Sequence, residues 1–167
     1  MIDRLFLAAN ITQIAAGLAG EHIAAAAVIA RGWGCGMCQQ EGVDLIAFKD
    51  KENYRIQVKS CQLSKSDRRL FFQTGIGRNK RLPTKSDYDI LACVSAEQRT
   101  VWFQPVACIR DKKITKLPSF FADPLIEAES WQKTLEYLNG NTKQKAVRHN
   151  RSRNGAGRDS EFSPANW

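Results

Sequence analysis

Two apolar runs, Gly42-Val43-Asp44-Leu45-Ile46-Ala47-Phe48 and Arg55-Ile56-Gln57-Val58-Lys59-Ser60, lie either side of a short polar stretch and constrain the fold more than any other part of the chain. Short runs with alternating side chains around a polar turn predict a β-hairpin. With residues 50–53 as the turn, the pairing sets Asp44 against Lys59 and Ile46 against Gln57. Side chains alternate with period two, so Asp44, Gln57 and Lys59 project from one face while Leu45 and Val58 point to the other. A carboxylate and an ammonium among apolar strand residues are costly to bury unless they are paired or hold a metal and a substrate.

A trio of acid, amide and lysine suits phosphodiester hydrolysis. A hard divalent cation takes oxygen ligands, keeps several waters and turns one of them into a nucleophile. Asp44 is the expected ligand, with the Gln57 side-chain oxygen and the Val58 backbone carbonyl as neutral donors. Lys59 would orient the attacking water or offset charge on the phosphorus oxygens. The plain alternative is a surface ion pair between Asp44 and Lys59, which contributes little to stability.

A second acid comes from the Ala-rich segment 10–30, which predicts a helix with Asn10 or Thr12 as its N-cap and Gly32 near its end. Ile14, Leu18, Glu21, Ala25 and Val28 recur at spacings of three and four, which sets the carboxylate on an apolar stripe. The apolar run Ala24 to Ala27 leaves the buried face open, and a solvated or capping Glu21 is the competing reading.

Further strands are expected at residues 69–73, 88–95 and 100–104, with Pro105 ending the last or marking an edge, whereas Gly34 and Gly36 leave open whether 38–40 is a short strand entering the hairpin. A final helix is expected at 124–138, with Trp131, Leu135 and Leu138 as its stripe and Gly140 as its stop. The order helix, five strands, helix suits an α/β sandwich with a mixed central sheet.

At 167 residues and 43% hydrophobic content, the chain builds one core, so a single domain over 1–140 with a basic, disordered tail at 141–167 is the simplest division. A net charge of +8 favours a polyanionic partner. Lys65, Arg68, Arg69, Arg78, Lys80, Arg81 and Lys85 crowd into a stretch carrying Thr74-Gly75-Ile76-Gly77, which reads as a mobile loop beside the proposed site that contacts nucleic acid, or as a solvated charged loop.

Other chemistries find less support. Cys35-Gly36-Met37-Cys38 has half of a zinc spacing, and the remaining cysteines are solitary. Five cysteines at irregular spacing do not form a secreted disulfide framework, and a cytoplasmic protein without a signal peptide or membrane span is expected. Two histidines give little support to a Ser-His-Asp arrangement or a histidine-metal nuclease.

Asp44, the hairpin and Gln57-Val58-Lys59 resemble the signature of the PD-(D/E)XK nuclease superfamily in its Gln-x-Lys form. The order of Glu21 on a helix, Asp44 on a strand, Gln-x-Lys, a basic segment and two more strands is similar to the group I intron-encoded homing endonucleases of that superfamily. Val43 stands where many members have proline, and Gln57 where most have an acid. The resemblance implies a restriction-endonuclease-like α/β sandwich with a central mixed β-sheet flanked by helices. It implies a Mg²⁺-dependent endodeoxyribonuclease, with Mn²⁺ as a substitute, acting on double-stranded DNA as a homo-oligomer, dimer or tetramer. Glu21, Asp44, Gln57 and Lys59 would be its catalytic residues, with Glu21 joining Asp44, Gln57 and Val58 at the metal. A Holliday-junction resolvase, a defence nuclease or a DNA-binding protein that has lost cleavage are the rival readings on the same scaffold. A basic domain whose tail binds RNA is the rival outside it.

Overall fold

The hairpin at the centre of the fold is tighter than the sequence implies. Strand β2 (Val43–Lys49) passes into β3 (Glu52–Cys61) through only Asp50 and Lys51, with Asp50 at φ 53°. Asp tolerates the left-handed region, and a two-residue connection follows the right-handed strand twist. Pairing runs from Lys49↔Glu52 to Leu45↔Ile56, and Ile46 faces Arg55 rather than Gln57. The expected register is therefore two residues out, and Asp44 is not set across from Lys59. An even slip leaves every side chain on its expected face and moves Asp44 towards Gln57 instead.

The computed structural model describes residues 13–61 and 69–153. Its other elements are α1 (Gln13–Ala30), β1 (Gly34–Gln40), β4 (Leu70–Gln73), β5 (Ile90–Ser95), β6 (Thr100–Pro105), β7 (Lys113–Lys116), α2 (Pro118–Phe121) and α3 (Ile126–Arg153). Five strands form one sheet in the order β1-β2-β3-β5-β6, and β4 and β7 form a separate two-stranded ribbon. Only the β3–β5 pair in the large sheet is parallel, so the sheet is mixed and flanked by helices, as expected. Pro105 closes the edge strand β6, where its missing N–H costs no ladder bond.

Each face of the sheet has its own core. Leu45, Ala47, Ile56, Val58, Ile90 and Phe103 pack with α1 and with Trp131 of α3, where Trp131 meets Trp33 and Phe103 edge to face. On the other face Val43, Leu91, Cys93 and Trp102 pack with Leu70 and Phe72 of the ribbon and Phe121 of α2. The ribbon partner β7 and α2 are not foreseen in the sequence, because Lys-Ile-Thr-Lys carries one apolar residue and becomes a strand only by pairing with β4.

Both long helices depart from the sequence expectation. Helix α1 buries Gly20, Ala24, Ala27 and Val28, whereas Ile14 and Leu18 are exposed. A helix apolar on most sides seats through its smallest residues, which lets the backbone approach the sheet. Asn10 and Thr12 lie outside the described residues. Helix α3 passes through Gly140 and continues to Arg153. A glycine costs a helix about 1 kcal/mol and stops it only where the chain must turn left-handed. The backbone thus crosses the expected boundary at 140 without a break, and residues 154–167 lie outside the described residues. No helix among the described residues is long and apolar enough to cross a membrane.

Candidate active site

The sheet forks where β2 leaves β3. The β2–β3 ladder ends at Leu45↔Ile56, but β3 runs on beside β5 as far as Cys61↔Ser95. Beyond Ile56 the β2 side of β3 has no ladder partner, and the Asp44 side chain fills the gap. Val58 N–H donates to Asp44 Oδ2 at 2.6 Å, and Gln57 Nε2 donates to the same oxygen. Gln57 Nε2 also lies 3.3 Å from the Val58 carbonyl, so both main-chain groups of Val58 open on the fork. The sequence implies a Gln57 oxygen turned towards a metal. Here the amide nitrogen faces Asp44, and the oxygen reaches that position only if the amide turns end for end.

Lys59 follows on the same face of β3 as Gln57, partly exposed, opposite Cys93 of β5. It has no ion-pair partner among the described residues. An Asp44–Lys59 surface pair is therefore not what holds this hairpin.

Glu21 comes to the fork because α1 seats on Gly20. Its carboxyl is pushed up from the ordinary value, first by partial burial and then by the charge of Asp44, while His22 opposes the shift. Two carboxylates close enough to repel form a place that a cation would relieve. Among the described residues no three His, Cys, Asp or Glu side chains cluster as metal ligands, so a cation here would rely on two acids and neutral oxygens. Carboxylate, amide and carbonyl oxygens form a hard donor set of the kind Mg²⁺ takes alongside its waters.

The raised Glu21 pKa has a consequence for stability. A carboxyl whose folded pKa exceeds its unfolded value favours the folded state when protonated, and that stability is lost as pH rises through the folded pKa. We expect Glu21→Gln to melt above the wild type at pH 7 in the absence of divalent metal, with the gap closing below the ordinary carboxyl value of 4.5. Thermal melts across that range check it, and a lower melting temperature at pH 7 would remove the repulsion between Glu21 and Asp44.

Tyr88 escaped sequence reasoning. It is fully buried, its hydroxyl has no hydrogen-bond partner among the described residues, and burial, aided by Cys93, Asp87 and Asp44, raises its pKa. In the sequence it is an ordinary strand-entry aromatic, and only the fold brings it near the fork.

The expected basic loop is a built structure over its described part. Ile76 and Arg81 bond each other through N–H and carbonyl at 2.9 and 3.1 Å, closing a hairpin turn over Gly77 and Lys80. Arg81 is tied to Asp87 at 2.5 Å, and with the Thr84 N–H it holds the Asp87 carboxyl far below the usual range. Arg55 anchors the following turn through Asp89 and the Lys85 carbonyl. Arg69, Arg78, Lys80 and Lys85 are exposed, whereas Arg81 is also exposed but already paired. Lys65 and Arg68 lie outside the described residues.

Cys35 packs into the core beneath the helices and Cys38 into the opposite one, so the two cannot share a metal. A concavity of about 1170 Å³ lies away from the fork between the β2–β3 turn and α3, around Trp33, Trp131 and Leu135.

No protein-family model matches the chain, and no curated protein does. Among solved structures it is similar to a bacterial homing endonuclease, I-Ssp6803I, at 16% identity and a TM-score of 0.62, over 78% of this chain and 98% of that one. The chain shares the α/β fold of that enzyme, with a five-stranded mixed sheet flanked by helices.

Proposed function

We propose that the chain is a metal-dependent DNA endonuclease of the PD-(D/E)XK type, with homing as its setting. The observation that carries this reading is the fork itself: two mutually repelling carboxylates, and a lysine with no ion pair among the described residues, at the splayed end of a sheet. Its likeness in fold to a homing endonuclease supports the same reading.

In this reading Asp44 and Glu21 hold Mg²⁺, with the Val58 carbonyl and, after its amide turns, Gln57 as neutral donors. A bound Mg²⁺ supplies a water of lowered pKa and positive charge against the phosphate oxygens. Asp44 is fixed for this by the Val58 N–H, so its free oxygen has a set direction. Lys59 stands beside the scissile phosphate, where its ammonium offsets the charge that grows on the oxygens in the transition state. Exposed Arg69, Arg78, Lys80 and Lys85 hold the flanking phosphates. One small site per chain cuts one strand, so a double-strand break takes an even oligomer on a two-fold target.

Incubating supercoiled and linear duplex, including candidate intron-insertion sequences, with the protein tests the proposal. Nicking or linearisation that needs Mg²⁺ or Mn²⁺ is expected, as is a rise in melting temperature with metal that disappears in Asp44→Asn. One specific observation favours a second reading, a DNA-binding protein that no longer cuts: Gln57 occupies Asp44 with a donor where an acid would repel it. That reading predicts duplex retention without cleavage in either metal and no metal-dependent melting shift.

A further inference from the structure

The β4–β7 ribbon has one face packed on the core and one face unused. Leu70, Phe72 and Ile114 point inward, whereas Gln73, Lys113 and Thr115 are exposed and Phe71 is half-buried between them. The pairs Phe71↔Thr115 and Gln73↔Lys113 put these four on one outward surface, with the exposed Arg69 in line along β4. Lys113 Nζ lies 3.9 Å over the Phe71 ring, so a positive charge sits in the middle of that surface. Gln73 Nε2 donates to the Lys112 carbonyl at 2.9 Å, which fixes the amide while its oxygen remains available.

From this surface we infer that the ribbon reads base edges in the major groove of duplex DNA, with Gln73, Lys113 and Thr115 as the specificity-determining side chains. The location of the readout relative to the cut rests on the endonuclease reading above. The major groove, about 12 Å wide, admits a two-stranded β-ribbon, whose strands are about 4.8 Å apart. A ribbon of four residues a strand is roughly 10 Å long, which at about 3.4 Å per base pair spans three base pairs. The side chains have the chemistry that base edges need. A Gln amide pairs with adenine, a Lys ammonium with guanine O6 and N7, and a Thr presents both a hydroxyl and a methyl group to thymine. Arg78 and Lys80, in the hairpin joined to the ribbon through Thr74 and Gly75 N–H bonds to the Lys112 carbonyl, flank it as phosphate contacts.

The ribbon is also held close to the fork. Phe71 N–H donates to Cys61 Sγ at 2.9 Å, and Cys61 follows Lys59 by two residues on the same face of β3, roughly 7 Å along the strand. Bases read by the ribbon therefore lie within about two to four base pairs of the phosphate at Lys59, at about 3.4 Å per pair.

The test selects from a pool of randomised duplexes with the full chain, by binding in EDTA and separately by cleavage in Mg²⁺. Wild type is compared with Gln73→Ala, Lys113→Ala and Thr115→Val, each checked by thermal melting. Wild type is expected to enrich a motif, and the variants to lose roughly 5- to 100-fold of discrimination within one contiguous block of about three base pairs in each half-site. A motif unchanged in all three folded variants overturns the readout, as does equal weakening on every sequence, which marks phosphate contact alone. Enrichment by wild type in EDTA with no cleavage in Mg²⁺ overturns the hydrolase reading and leaves the ribbon standing. No enrichment in either arm overturns the ribbon.

Discussion

Lys59→Ala is expected to slow DNA cleavage by about 10²- to 10³-fold while leaving duplex affinity within about twofold. The lysine makes no ion pair among the described residues and is partly exposed, so its removal takes away little that holds the fold. An ammonium that neutralises charge only as it develops acts on the chemical step, which places the loss in kcat rather than KM. Lys59→Arg separates charge from shape: a planar fork cannot replace a compact ammonium, so partial activity is expected. Asp44→Asn keeps an oxygen for the Val58 N–H but removes the charge, and it should lose activity to a similar degree without unfolding. Because the two groups serve one step, the double variant should be hardly slower than the worse single one. Single-turnover cleavage beside gel-shift titration measures both quantities. Wild-type rates in both variants would detach the fork from the chemistry.

Much of the site's arrangement is legible in the sequence because strand parity survives a register error. The slip is even, so Gln57 and Lys59 share one face of β3 whether partners sum as in a four-residue or a two-residue turn, and Asp44 meets Gln57 from the end of the ladder. The pairing within the trio is not legible, since it depends on where β2 stops following β3, and that depends on Val43 turning into the second core. The face of α1 is hidden for a different reason. Alanines give no periodic contrast, so Ile14 and Leu18 look like anchors although the helix lies on Gly20, Ala24 and Ala27. The ribbon is invisible because β7 has no pattern of its own, and α3 overruns Gly140 because helix formers resume soon after it. Interactions between distant segments decided the pairing within the trio, the seat of α1 and the ribbon, and local propensity carries no record of them.

Gly20→Ala is the smallest change expected to disturb both the fold and its site. A Cβ at Gly20 would overlap Ser60 Oγ and stand 2.9 Å from Ser60 Cβ, so α1 must move away from β3 or Ser60 must shift. Overpacking of this kind costs about 1–3 kcal/mol, a loss of several degrees in melting temperature for a domain of this size. Glu21 is the next residue, and any displacement of the helix carries its carboxyl away from Asp44, so cleavage per folded molecule should fall as well. Ser60→Gly provides the discriminating partner. Its hydroxyl is buried without a hydrogen-bond partner among the described residues, and with the side chain gone the nearest atom to the new methyl is the Ser60 Cα at 3.8 Å, an ordinary contact. The double variant is therefore expected to recover both stability and rate, with a coupling energy of about 1–2 kcal/mol in a double-mutant cycle. Recovery of stability without recovery of rate would mean that the helix seat does not set the position of Glu21. Full activity in Gly20→Ala, measured on the folded fraction, would mean that Ser60 yields and the helix keeps its seat, or that Glu21 takes no part in cleavage, and Glu21→Gln at full rate would decide for the second.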